Sequence, residues 1–167
     1  MPDNTLLLPK QVEADPRYKT LLKQLITRTE KLWAGSDVFV PVAAFTDELK
    51  AALVAAKENG RISRGVDGIE RSLGVEARGL ALVDKKTATK RIQRISRLLI
   101  MSNDGAERFY RKVESMLRQH GERVMAIKVA ADSTQLGGYL FGPEKASKLL
   151  LIEHKESVAE VLLALAV

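Results

Sequence analysis

The residues best suited to chemistry are cations crowded into one stretch. Lys85, Lys86, Lys90, Arg91, Arg94 and Arg97 place six positive charges within thirteen residues. Lys86, Lys90, Arg94 and Arg97 recur at three- and four-residue spacing, so a helix persisting to Arg97 presents them on one face. Such a face holds phosphates by charge and by bidentate arginine hydrogen bonds, without reading base sequence. Thr87 and Thr89 add hydroxyls for the nucleic-acid backbone. The competing reading is a solvated helix that only keeps Ile92 and Ile95 against a sheet. Arg108, Arg111 and Lys112 continue the basic character, and Gly137 and Gly138 permit close backbone approach.

Other chemistry is thinly represented. The chain has no cysteine, which excludes disulfides, thiolate metal sites and cysteine nucleophiles. His120 and His154 are its two histidines, so zinc would need a carboxylate-rich site that the sequence does not offer. Ser102 has no evident histidine base, and Asp104, Asp132 and Glu153 are scattered carboxylates. Asn103 and Asp104 read as an Asx turn completed by Gly105. The glycine-rich residues 60–84 lack the Lys-Ser/Thr ending of a phosphate-binding loop. The expectation is therefore a non-enzyme without metal or cofactor.

A net charge of +6 favours anionic partners without specifying one. The N-terminus lacks the basic and apolar regions of a secretory signal. No apolar run approaches the roughly eighteen residues of a membrane span. These features lead us to expect a cytoplasmic chain with no membrane partner.

The elements that must position these residues follow from periodicity. Residues 1–59 read as an extended arm followed by a helical appendage. One helix carries Tyr18, Leu21, Leu22, Leu25, Ile26, Thr29, Leu32 and Trp33 on a stripe and ends at Gly35. Val38–Val42, broken by Pro41, is an edge strand or a buried linker. A second helix starts near Thr46 and closes at Asn59-Gly60. Residues 60–84 read as a connecting segment or as part of the following domain, with a short helix over Val66–Leu73 and a strand over Gly79–Val83. Residues 85–167 alternate helices with apolar runs: a basic helix over Lys85–Ile95, strands at Arg97–Met101, Val124–Val129 and Leu149–Ile152, and helices near Phe109–His120, Gln135–Phe141 and Val158–Val167. This alternation predicts an α/β sandwich.

The segment TATKRIQRISRLLIMSND (Thr87–Asp104) resembles the basic helix, buried strand and polar turn of the superfamily of kink-turn-binding ribosomal proteins. QLGGYLFG (Gln135–Gly142) and LLLIEH (Leu149–His154) resemble that superfamily's glycine-containing helix and final strand. The terminal domain of translation termination release factors shares the fold, and RKVESMLRQHGERVMAI (Arg111–Ile127) is similar to its helix–glycine–strand element. The resemblance covers residues 85–167 and implies a three-layer α/β/α sandwich. It also implies that the turn Gln135, Gly137 and Gly138 borders an RNA site. The family's Gly-x-Asn-Glu-x-x-Lys element is not preserved, since Lys85–Lys90 keeps only its final lysine. A competing match at Arg64–Arg71 keeps the glycine but also lacks the base-reading pair. Two readings remain: a basic domain contacting phosphates of a structured RNA, and a protein-interaction subunit of a ribonucleoprotein or translation assembly. The second would be marked by an exposed apolar patch around Trp33, Leu49 or Leu163.

Overall fold

The computed structural model describes residues 7–87 and 94–166. It is an α/β structure built on a six-stranded mixed sheet. The strands are β1 (Thr29–Lys31), β2 (Phe39–Ala43), β3 (Ile62–Arg64), β4 (Arg97–Met101), β5 (Val124–Val129) and β6 (Leu149–Ile152), in the spatial order β1-β2-β5-β4-β6-β3. β2, β5 and β4 run parallel, while β1 and β6 are antiparallel to their neighbours. The helices among the described residues are α1 (Lys10–Glu13), α2 (Tyr18–Thr27), α3 (Asp47–Glu58), α4 (Val66–Thr87), α5 (Glu107–His120), α6 (Ser133–Phe141) and α7 (Lys155–Ala164).

The central strands are apolar at nearly every position because both faces of the sheet are covered. Along β4, Leu98 and Ile100 enter one core while Leu99 and Met101 enter the other, as the two-residue period of a strand requires. Helices α1, α2, α3, α6 and α7 contribute to the first core. Helices α4 and α5 contribute to the second through Ile69, Leu73, Tyr110, Val113 and Met116.

Local signals explain where the helices begin and end. Thr46 Oγ1 accepts from the Leu49 amide at 3.1 Å, and Gly60 leaves the end of α3 with φ 67°. Leu49, Leu53 and Ala56 then bury one face. Asp132 and Gln135 form a reciprocal capping box at the start of α6. His154 Nδ1 accepts from the Glu156 amide and so caps α7.

Four expectations need correction. The helix begun at Tyr18 ends at Thr27, and Thr29–Lys31 instead pairs with β2, placing Trp33 in the connecting turn. The strand expected at Val38–Val42 is β2 at Phe39–Ala43, which lies between β1 and β5 rather than at the edge. Pro41 is tolerated because its missing N–H has the parity of Ala43, toward β5, and that pairing begins only at Val42. The N-terminal residues are not an appendage: they supply β1 and β2, and Leu8 and Val12 are buried in the first core. Finally, residues 79–83 are helical, because α4 runs on through Gly68, Gly74 and Gly79 to Thr87 and leaves no strand there.

Candidate nucleic-acid interface

The expected basic helix does not persist to Arg97, because residues 94–96 are not helical and Arg97 is in a strand. Lys85 and Lys86 lie exposed at the end of the described part of α4. Thr89, Lys90 and Arg91 lie outside the described residues. Arg94 is not helical: its guanidinium donates to the Leu8 carbonyl at 2.9 Å and to Glu13 Oε1 at 2.8 Å, tying α1 to the start of β4. Arg97 opens β4 and pairs with Glu76 at 3.1 Å, as does Arg123 at 2.7 Å. These two arginines neutralise a carboxylate of α4 instead of facing solvent, so the four-cation stripe does not form.

The Gln135, Gly137 and Gly138 turn lies elsewhere. α6 follows the carboxyl end of β5 and packs Leu136 and Leu140 into the first core. α4 packs into the second core, and its Glu76 has already reached the amino ends of β4 and β5. Lys85 and Lys86 therefore sit beyond the opposite edge and on the other face of the sheet, and no continuous patch among the described residues joins them to α6. Gln135 is engaged in the capping box. Gly137 has a structural task, because a Cβ there would run into the backbone of Lys145–Ser147. Gly138 has open space above it.

The loops after β4 and β5 leave toward opposite faces, which creates the crevice where open α/β sheets usually bind ligands. Here Asp104 reaches across it to the start of α6. Asp104 accepts from the Ser133 amide at 3.0 Å and from its hydroxyl at 2.8 Å, at the helix end that would otherwise attract an anion. Burial would raise the pKa of Asp104, but hydrogen bonding outweighs it and holds the carboxyl below its ordinary value. Ser102 Oγ is buried without a hydrogen-bond partner, so the lowering rests on Ser133 and on the amide of Asp104 itself. Asp104 thus does more than complete a turn: it locks the β4–α5 loop to α6.

The other catalytic combinations are also pulled apart. Ser102 follows the carboxyl end of β4, whereas His120 ends α5 at the opposite edge, beside Arg123. Burial and then the Arg123 charge hold His120 below its usual pKa, against Glu76. Glu153 accepts from the Ser63 hydroxyl, away from Asp104 and Asp132. No cluster of three histidine or carboxylate residues suited to a metal exists among the described residues. Nor is any described helix long and apolar enough to cross a membrane.

A different surface brings cations and rings together. Lys50 and Lys57 lie two turns apart on α3, alongside Tyr139 and Phe141 of α6. Lys50 Nζ stands 5.1 Å from the centre of the Phe45 ring and 5.3 Å from that of Tyr139. Phe45 and Tyr139 meet edge to face at 6.1 Å. Phe141 is flanked by Arg64 at 4.4 Å and Lys57 at 5.5 Å. Lys57 also donates to the Leu140 carbonyl, fastening α3 to α6. Tyr139 is 50% exposed, and Lys57 and Arg64 are exposed. Phe45 precedes α3 and the others come from α3, β3 and α6, so their gathering on one surface is created by the fold.

The chain matches no protein-family model, and no curated protein sequence matches it significantly.

Proposed function

We propose that the chain binds RNA through the α3–α6 surface, taking unpaired bases of a structured RNA onto Tyr139 and its neighbours. The observation that supports this reading is the alternation of Lys50, Lys57 and Arg64 with Phe45, Tyr139 and Phe141. Aromatic rings offer flat faces to bases, and stacking contributes about 1–3 kcal/mol per base. The cations neutralise phosphates and brace the rings. Structured RNA is bound mainly where loops or bulges expose bases, which fits one exposed ring better than a long helical groove. The surface shares α6 with the Gln135–Gly138 turn, whereas Arg94 and Arg97 keep structural tasks.

The test is fluorescence anisotropy with a labelled RNA hairpin bearing an unpaired loop, titrated at several salt concentrations. Binding should weaken as salt rises, and Tyr139→Ala should weaken it while circular dichroism stays unchanged. Equal binding by the wild type, Tyr139→Ala and Lys57→Ala/Arg64→Ala proteins would exclude this surface.

A further inference from the structure

The second half of α4 overhangs the sheet. Glu76 pairs with Arg97 and Arg123 at the amino ends of β4 and β5, so the helix has reached the sheet edge by that residue. Ala77–Thr87 continue for roughly 16 Å more, at about 1.5 Å per residue. No described side chain of α4 after Leu73 is buried. Val75 is 56% and Leu82 is 62% exposed, and their seven-residue spacing puts them on one outward face. Gly79 lies between them, with nothing within 4 Å of where its Cβ would stand.

The charges on this helix are sorted by direction. Glu76 is turned inward to Arg97 and Arg123, while Asp67 and Glu70 reach toward Lys112 of α5. Arg71, Arg78, Lys85 and Lys86 form no ion pair among the described residues. The outward face therefore joins two aliphatic side chains to four unneutralised cations. RNA phosphates would meet the cations but gain nothing from Val75 and Leu82. A complementary helix satisfies both.

We infer that the outer face of α4 docks an acidic amphipathic helix of a partner protein. The partner would seat apolar side chains about one heptad apart on Val75 and Leu82. Its flanking aspartates or glutamates would meet Arg71, Arg78, Lys85 and Lys86. Gly79 admits close approach of the two backbones. The overhang contains Gly79, a weak helix former, so docking should slow amide exchange along it. This surface lies on the opposite side of the sheet from α3–α6 and does not depend on the RNA reading.

The probe is a synthetic helical peptide with leucines in a heptad pattern flanked by glutamates, compared with a copy carrying lysines in their place. Binding of the acidic peptide should slow amide hydrogen exchange across residues 77–86 and leave α6 unchanged. The separate changes Leu82→Asp and Arg78→Glu should each weaken it about tenfold or more, and the lysine peptide should not bind. Because both positions are exposed, circular dichroism of these variants should match that of the wild type. The proposal is overturned if the acidic peptide fails to bind at millimolar concentration, if protection appears elsewhere, or if the lysine peptide binds equally well. It is also overturned if the wild-type chain dimerises and Leu82→Asp makes it monomeric, since a second copy would then cover the face. Sedimentation with anionic phosphatidylglycerol vesicles that is lost in Leu82→Asp would likewise overturn it, assigning the face to lipid.

Discussion

On the α3–α6 side of the sheet the cations lie over aromatic rings, whereas on the outer face of α4 they stand clear beside aliphatic side chains. The two surfaces are built from similar charges but suit different partners. Rings held by packing present flat, partly desolvated faces to which a base can add. Aliphatic side chains on an overhanging helix present a ridge that another helix can cover. Positive charge alone does not distinguish these cases; the apolar groups between the charges do.

The largest expected effect separates the two halves of α4. Leu73 is fully buried in the second core, so Leu73→Ala should cost about 2–5 kcal/mol in urea unfolding. Leu82→Ala should change stability by no more than about 0.5 kcal/mol. Equal losses would mean that the overhang packs internally, erasing the contrast with α3–α6. Next comes Gly137→Val, whose side chain meets the Lys145–Ser147 backbone and should cost about 3 kcal/mol. In the folded fraction it should weaken RNA binding through α6 while sparing the acidic peptide.

Much of this fold is legible in the sequence because burial on both faces leaves a plain signature. Arg97–Met101, Val124–Val129 and Leu149–Ile152 are largely apolar runs, and each is a strand. Thr46 and Asn59-Gly60 mark α3 through capping chemistry. β1 leaves no such signature, because Thr29, Glu30 and Lys31 are all exposed and carry no alternation. The glycines of α4 suggest breaks that would shorten it, although Ile69 and Leu73 anchor the helix regardless. The site is less legible than the fold. Lys50, Arg64 and Tyr139 are remote in sequence, and only α3, β3 and α6 packing brings their side chains near one another. The Lys85–Arg97 cluster looks continuous because spacing cannot show that Arg94 and Arg97 are claimed by Glu13 and Glu76. The sequence signs for an apolar patch also mislead: Leu49 and Leu163 are buried, while Leu82 is exposed.

A smaller effect concerns the binding contrast itself. Lys57→Ala/Arg64→Ala should lower RNA affinity and flatten its log–log salt slope by about 2, roughly one for each phosphate no longer neutralised. Arg71→Ala/Arg78→Ala should leave the RNA slope unchanged. A matching loss from both pairs would show that RNA uses charge without regard to the rings.

The smallest expected effect is a pH response near Trp33, which belongs to neither surface. The Ser36 hydroxyl donates to Glu114 at 2.6 Å, and the Trp33 indole N–H donates to the same carboxylate at 3.4 Å. The Ser36 hydrogen bond, opposed by burial and aided by Trp33 and Arg118, lowers the Glu114 pKa below 4.5. Because the folded value is depressed, this carboxylate adds stability above pH 4.5, and the contribution is lost as pH falls through the folded value. The fluorescence of Trp33, the chain's one tryptophan, should change in that acidic window and lose the response in Glu114→Gln.

The most direct measurement is photocrosslinking of a 4-thiouridine-labelled hairpin RNA to the wild-type protein, with the attached residues mapped by mass spectrometry. RNA binding at the α3–α6 surface predicts crosslinks at Tyr139 and Phe141 and on adjoining residues of α3, fading as salt rises. Crosslinks confined to α4, or none at protein concentrations that saturate the anisotropy signal, would contradict it.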